Sequence, residues 1–219
     1  EINFDNLTIF DKWILNKLNT VIDNMNENFE KYEFGEATKA LYNFVWDDFA
    51  AWYIELCKIT FNKSELQINT CAVLRHTLKS IVQLLHPYMP FATEEIYQKF
   101  NDGSIVVSNW PTKLNIKFSE SDEEKVNKLI SIITSIRNMR VTNNVAPSKP
   151  LTVIIECNEE DKEFLLSNKD YLKRFANYEE LIFDNTSNKE WIELDEISPS
   201  FINAILSIED KNFYHHLGF

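Results

Sequence analysis

The segment that most restricts the fold of this chain runs from residue 35 to residue 59, with the sequence GEATKALYNFVWDDFAAWYIELCKI. Apolar residues recur on one side of it at the three-to-four spacing of a helix: Leu41, Val45, Phe49, Trp52 and Leu56. Aromatic residues cover much of the remaining surface: Tyr42, Phe44, Trp46 and Tyr53. Because a helix that is apolar almost all round needs neighbours on several sides, the segment predicts the central helix of a bundle.

Other segments supply those neighbours. The same apolar period predicts helices over residues 11–30, 66–86 and 121–143, and Asp11 is a plausible start signal for the first. Between them the sequence HPYMPF predicts an abrupt corner. Pro87 ends one helix and Pro90 opens a fourth, whose Phe91, Ile96, Tyr97 and Phe100 are expected to pack back onto the bundle.

The character of the chain changes near residue 150. The β-branched stretch LTVIIEC predicts a strand over 151–157, and the stretches EEDKEFLLSN and DYLKRFA predict two short helices. ELIFD and EWIELD, at 180–184 and 190–195, are possible further strands. The sequence therefore predicts a mainly α protein, with a helical bundle over 1–149 and a small α+β region over 150–219.

Composition excludes several classes of function. Three glycines in 219 residues cannot form a glycine-rich phosphate loop, and a net charge of −12 leaves only a local patch for binding nucleic acid. Three cysteines without CxxC spacing favour a reduced, cytoplasmic protein, and no apolar run is long enough to span a membrane. A first residue that is Glu rather than Met suggests a segment of a longer protein.

The acidic pairs Asp47–Asp48 and Glu94–Glu95 do not predict acid–base catalysis, because adjacent helical residues diverge by about 100°. One member of each pair is expected to face solvent, and Asp47 or Asp48 could accept a hydrogen bond from a buried Trp or Tyr. No nucleophile, base and orienting group recur together, so we predict no catalytic site in this chain.

The histidines and cysteines also lack the spacing of a metal site or of a nucleophilic site. His215 and His216 are neighbours in a tail without a clear pattern, and neighbouring side chains point too far apart to share a metal easily. Cys57 and Cys71 lie on apolar helix faces and are predicted to be small core residues. We therefore predict neither a metal nor a cofactor in this chain.

Cationic residues are scarce here, and the last predicted helix concentrates several of them. Arg137, Arg140 and Asn144 fall at i, i+3 and i+7, which predicts one stripe opposite much of the isoleucine face. Asn138 flanks the stripe and Lys149 follows it. Arginine forks and amides bind phosphates and unpaired base edges, so these five residues are candidate RNA contacts.

Two smaller groups also have a spacing of about one helical turn. Arg75 and Lys79 form an i, i+4 pair with His76 between them, and Trp13 and Lys17 form another. We treat these four as candidate RNA contacts as well. The alternative for all of them is a solvated helix face or an ion-pair partner for the many carboxylates.

Five motifs, in order and spacing, resemble the anticodon-binding region of valyl-tRNA synthetases over about residues 11–156. They are DKWILNKLN, YEFGEATKALYNFVWDDFAAWYIELCK, LLHPYMPFATEEIYQKF, NWP and SIRNMRVTNNVAPSK. WDDFAAWYIE and RNMR…APSK favour the valyl family over its isoleucyl and leucyl relatives. Arg137, Asn138 and Arg140 match the RN-x-R pattern of that family.

The resemblance implies a bundle that binds the anticodon end of tRNA(Val) and orients it for a ligase. Attachment of valine with ATP, and editing of threonine, would belong to other domains of the same polypeptide, because the HIGH and KMSKS signatures are absent here. The expected setting is the cytoplasm, with neither membrane nor DNA as a partner. The alternatives are the equivalent domain of an isoleucyl or leucyl enzyme, or a helical module whose aromatic surface binds another protein.

Overall fold

The computed structural model describes residues 2–61 and 63–185. Its helices are α1 (Ile9–Glu30), α2 (Phe34–Asn43), α3 (Ile54–Thr60), α4 (Ser64–Leu85), α5 (Pro90–Gln98), α6 (Glu120–Thr142), α7 (Glu159–Ser167) and α8 (Lys169–Ala176), and its strands are β1 (Leu151–Cys157) and β2 (Tyr178–Asn185). Short 3₁₀ turns cover Phe4–Asn6 and Ile105–Val107. The mainly α prediction with a small α+β part is confirmed.

The first helix begins two residues before its predicted start signal. Thr8 is the N-cap and accepts a hydrogen bond from the Asp11 amide, while the Asp11 carboxylate accepts one from the Thr8 amide in return. Asp11 is also 1% exposed, and its other carboxylate oxygen accepts a 2.6 Å hydrogen bond from the Tyr53 hydroxyl. The cap thus ties the start of α1 to the centre of the bundle, and the tyrosine bonds to Asp11 rather than to Asp47 or Asp48.

The predicted central helix is interrupted by a π-helical segment, Phe44–Tyr53, between α2 and α3. The wider turn changes the spacing of the buried face, because a π-helix bonds i to i+5. Phe44 and Phe49 are both buried, five residues apart, whereas Tyr42 and Trp46 are 60% and 57% exposed. The prediction of an aromatic helix buried almost all round is therefore wrong on the Tyr42–Trp46 side.

The proline corner between α4 and α5 is confirmed. Residues 86–89 turn the chain, and Pro90 occupies the first turn of α5. The residues that attach α5 differ from the prediction, since Phe91 and Ile96 are 90% and 45% exposed while Tyr97 is buried. A nine-residue helix that packs on one side buries only a narrow stripe.

The α+β region is built by two parallel strands joined through α7 and α8. The register pairs Val153 with Leu181 and Cys157 with Asn185. Val153, Ile155 and Cys157 face the core in alternation with exposed residues. The predicted strand over 190–195 lies outside the described residues.

The bundle and the α+β region share one hydrophobic core. The rings of Phe10 and Tyr171 lie 4.5 Å apart, and those of Trp52 and Phe175 lie 5.6 Å apart. Ile133 and Ile136, in the second half of α6, belong to the same core. None of the described helices is long and apolar enough to cross a membrane.

Candidate nucleic-acid interface

Arg140 does not lie on an exposed stripe. Its side chain is buried at 6% exposure, in the angle between the end of α6 and the end of α8. Nη1 donates hydrogen bonds to the carbonyls of Ala146 and Lys149 at 3.1 and 2.7 Å. Nη2 donates to the carbonyls of Ala176 and Asn177 at 2.8 and 3.0 Å. The predicted stripe is wrong for Arg140, which fastens the α+β region to the bundle.

Local backbone geometry explains why four carbonyls converge there. Asn144 follows the end of α6 with φ of 53°, and Asn177 follows α8 with φ of 46°. Asparagine adopts this left-handed conformation more readily than most residues, and each turn reverses the chain. Asn177 also donates a 2.8 Å hydrogen bond to the carbonyl of Pro147, which joins the two turns directly.

Arg137, one turn before Arg140, is exposed. Its guanidinium carbon lies 5.6 Å from the ring centre of Trp52 and 5.2 Å from that of Phe175. Within the described residues it makes no ion pair and no hydrogen bond, so its donors are available to a ligand. Stacking on two rings holds the planar group in place without neutralising it.

The remaining candidates of this surface are Asn138, Asn144 and Lys149, and all three are exposed. Asn144 lies beyond the end of α6, so it does not continue a helical stripe. With Arg137 they form a loose polar surface at the end of α6, which we call the α6 surface.

The two candidates predicted on α1, Trp13 and Lys17, also differ in burial. Trp13 is 1% exposed and lies in the core, so it cannot stack on a base at the surface. Lys17 is partly exposed, but its ammonium lies 3.0 Å from the carboxylate of Glu123. The α1 prediction is wrong for Trp13, and Lys17 already has an ion-pair partner.

On α4 both predicted cations remain accessible. Arg75 is exposed and donates a hydrogen bond to the carbonyl of Phe100, and the ammonium of Lys79 lies 5.8 Å from the ring centre of Tyr97. Neither has a carboxylate within ion-pair distance among the residues that the structure describes. By contrast, Lys113 is paired with Asp23 at 2.8 Å.

These cations line an open cleft of about 750 Å³. We call it the α4 cleft; its lining includes Phe4, Ile68, Arg75, His76, Lys79 and Asn101. Two polar atoms beside it are buried without a hydrogen-bond partner, His76 Nε2 and Asn101 Nδ2. Burial, and after it the charge of Lys79, lowers the pKa of the His76 imidazole. Sequence reasoning singled out α4 but not Asn101, which reaches the cleft from a loop.

Of the two cysteines predicted to be core residues, Cys57 is buried as predicted and Cys71 is not. Cys57 is buried, and burial raises the pKa of its thiol to about 12, so it is not a nucleophile. Cys71, predicted to be a core residue, is exposed at the α4 cleft. Among the described residues no group of His, Cys, Asp and Glu is arranged to hold a metal ion. His215 and His216 lie outside the described residues.

Comparison with protein families decides the relationship of this chain. The model of the anticodon-binding domain of tRNA ligase matches residues 11–155, which is well over half of the chain. This chain belongs to the anticodon-binding domain family of tRNA ligases.

The relatives of this chain include valine–tRNA ligases. Those of Streptococcus pyogenes serotype M3 and Streptococcus mutans serotype c are each 44% identical over 176 residues, 79% of this chain. That of Streptococcus pneumoniae serotype 4 is 43% identical over 182 residues, 81% of this chain. The chain spans only about a fifth of their length, 20% in each case.

A second family model, described as transglycosylase, matches residues 176–219. This match begins at the last residue of α8, includes β2, and continues past the described residues. It places another family on part of the segment that was predicted to be one α+β region. The end of this segment, which contains His215 and His216, has no clear helical or strand pattern in its sequence.

Proposed function

We propose that this chain is the part of a valine–tRNA ligase that binds tRNA(Val) and orients it, without chemistry of its own. The observation that carries the proposal is the anticodon-binding family match over 11–155 together with 43–44% identity to valine–tRNA ligases. In the complete protein, other domains of the polypeptide would use ATP to attach valine. Translation of this kind favours the cytoplasm as the setting.

Arg137 is the residue best suited to contact the RNA on the α6 surface. Its guanidinium is stacked on Trp52 and Phe175 and is free of carboxylates among the described residues. A group held in one orientation loses little side-chain entropy when it binds phosphate or a base edge. Arg140 is excluded from this role because its donors already bond to four carbonyls.

The anchoring by Arg140 also supports an orienting function. A ligand bound at Arg137 contacts a side chain that rests on α8 and on the π-helical segment at once. Both elements are packed into one core, so binding energy is not spent on ordering the surface. A rigid surface of this kind can hold one end of a long RNA at a fixed distance from another domain.

The test measures binding of tRNA(Val), tRNA(Ile) and tRNA(Leu) to the 219-residue chain at low and moderate salt. We expect tRNA(Val) to bind most tightly, with a log–log salt slope of about 0.7–0.9 per phosphate contact. Arg137→Glu should weaken its binding by about tenfold, as expected for loss of a charged hydrogen bond. The matched control is Lys31→Glu, which makes the same reversal of charge at an exposed lysine outside the α6 surface.

Three outcomes would contradict parts of this proposal. Equal binding of all three tRNAs would remove the assignment to valine, and an unchanged affinity of Arg137→Glu would remove the α6 surface. Failure to bind any tRNA at low salt would favour a protein-interaction module. Exposed aromatic residues at the corner, such as Phe91, would then be the first surface to test.

A further inference from the structure

The α4 cleft combines features that the proposed function does not require of a helix surface. Arg75 and Lys79 are held in place by Phe100 and Tyr97 but are not neutralised, in a chain whose net charge is −12. None of the described residues that line the cleft is acidic. The two unpaired cations repel each other, and a bound anion would lower that electrostatic energy.

The buried polar atoms of the lining do not face the ligand. His76 Nε2 and Asn101 Nδ2 have no hydrogen-bond partner within the described structure, but neither atom has surface exposed to the cleft. The charged groups that the cleft offers to a ligand are therefore Arg75 and Lys79, and this pair calls for an anion.

We propose that the α4 cleft binds a phosphate group, with Arg75 and Lys79 as its cationic partners. A tetrahedral phosphate offers oxygens in several directions, whereas a carboxylate offers two oxygens in one plane. The arginine fork suits phosphate geometry, and only one of its N–H groups is used by Phe100. The apolar rim, with Phe4 46% and Ile68 81% exposed, can accommodate the organic part of the ligand.

The phosphate could belong to an RNA backbone or to a free phosphate ester. Only the RNA source rests on the proposed function, so the two are tested separately. Inorganic phosphate is the first probe, measured by calorimetry and by NMR shifts of the His76 ring in the 219-residue chain. We expect saturable binding, which Arg75→Gln with Lys79→Gln weakens by about tenfold. Lys31→Gln with Lys39→Gln, both exposed and outside the cleft, removes the same charge as a control.

A second pair of variants does not depend on Arg75, whose loss could disturb the loop at Phe100. Ile68 is 81% exposed on the rim, so a change there should leave the fold intact. Ile68→Lys should tighten phosphate binding and Ile68→Glu should weaken it, each by about threefold to fivefold. If the cleft were instead an apolar contact surface, the two charged variants would behave alike.

The RNA arm uses competition. If an RNA phosphate occupies the cleft, saturating inorganic phosphate weakens tRNA(Val) binding, and the Gln variants lower the salt slope by about 1.4–1.8 for two lost contacts. If tRNA binding is unaffected while phosphate still binds, the cleft takes a free phosphate ester and the inference stands. No phosphate binding, or equal binding by the parent and the Ile68→Lys and Ile68→Glu variants, would overturn it without touching the proposed function.

Discussion

The α4 cleft and the end of α6 each carry two cationic residues about one helical turn apart, and the structure uses them in different ways. On α4, Arg75 and Lys79 both stay at the surface without a carboxylate among the described residues. On α6, Arg137 stays at the surface while Arg140, three residues later, is buried among carbonyls. The comparison shows that spacing places side chains on one face, but only the neighbouring elements decide whether that face meets solvent.

The difference has a structural cause. The loop after α5 reaches the middle of α4 at Arg75 and, together with Phe4 and Leu114, borders a cleft that stays open. The end of α6 is met by two chain reversals, at Asn144 and Asn177, whose carbonyls need donors. An arginine at that place satisfies four of them at once.

The largest effect that would test this comparison is on stability. Arg140→Ala leaves the four carbonyls of the junction without their donor, and we expect a loss of about 3 kcal/mol or more in the free energy of unfolding. Arg140→Lys should recover only part of it, because an ammonium cannot reproduce the planar fork. Urea denaturation measures both.

Arg137→Ala is the matched control for that prediction. It removes contacts with Trp52 and Phe175 at the surface and should cost about 1 kcal/mol or less. If both alanine variants lost the same stability, the distinction between a buried anchor and a surface arginine would be lost.

A smaller effect concerns the charge of the α4 cleft. Cys71 is an exposed thiol in its lining, whereas Cys57 is buried and has a raised pKa of about 12. We expect an anionic methanethiosulfonate to modify Cys71 about fivefold faster than a cationic one at low salt, because of the field of Arg75 and Lys79. Mass spectrometry of the modified chain gives both rates.

The same experiment contains its own check. In the Arg75→Gln with Lys79→Gln variant the two reagents should react at similar rates. Equal rates in the parent chain would mean that the cleft does not have the positive field assigned to it.

The smallest effect is on the titration of His76. Burial and Lys79 lower its pKa in the folded chain below the ordinary value of 6.5. The folded chain therefore binds this proton less readily than the unfolded chain does. As a result, the contribution of His76 to the free energy of unfolding is fully present above about pH 6.5 and is lost as the pH falls through the lower folded pKa. NMR titration should show the lowered pKa, and Lys79→Gln should raise it part of the way back. An unshifted pKa in the parent chain would contradict the buried position of the ring.

Much of the fold followed from local rules. The α4–α5 corner, the strand at 151–157 and the helices on both sides of it were predicted because proline geometry and apolar period act within a few residues. The π-helical segment was not, because its five-residue step between Phe44 and Phe49 depends on what packs against it. The sequence pattern alone fits a regular helix there equally well.

The candidate site was less predictable. Trp13 shares a helical face with Lys17, yet α1 buries the ring and leaves the lysine at the edge. The position of Asn101 at the cleft was not predicted, because it depends on a loop that reaches α4 from about 25 residues away, as the contact from Arg75 to Phe100 does. The transglycosylase match over 176–219 was not predicted either, because the sequence at 209–219 has no clear helical or strand pattern.

By itself the sequence determined the class of the protein: helices set by apolar period, breaks set by proline, and motifs that place the chain in the anticodon-binding family. Only the tertiary structure decided which cationic side chains are accessible and unpaired among the described residues. The reason is that ion pairing and burial depend on residues brought together from distant parts of the chain, as Arg140 meets Ala176 and Asn177.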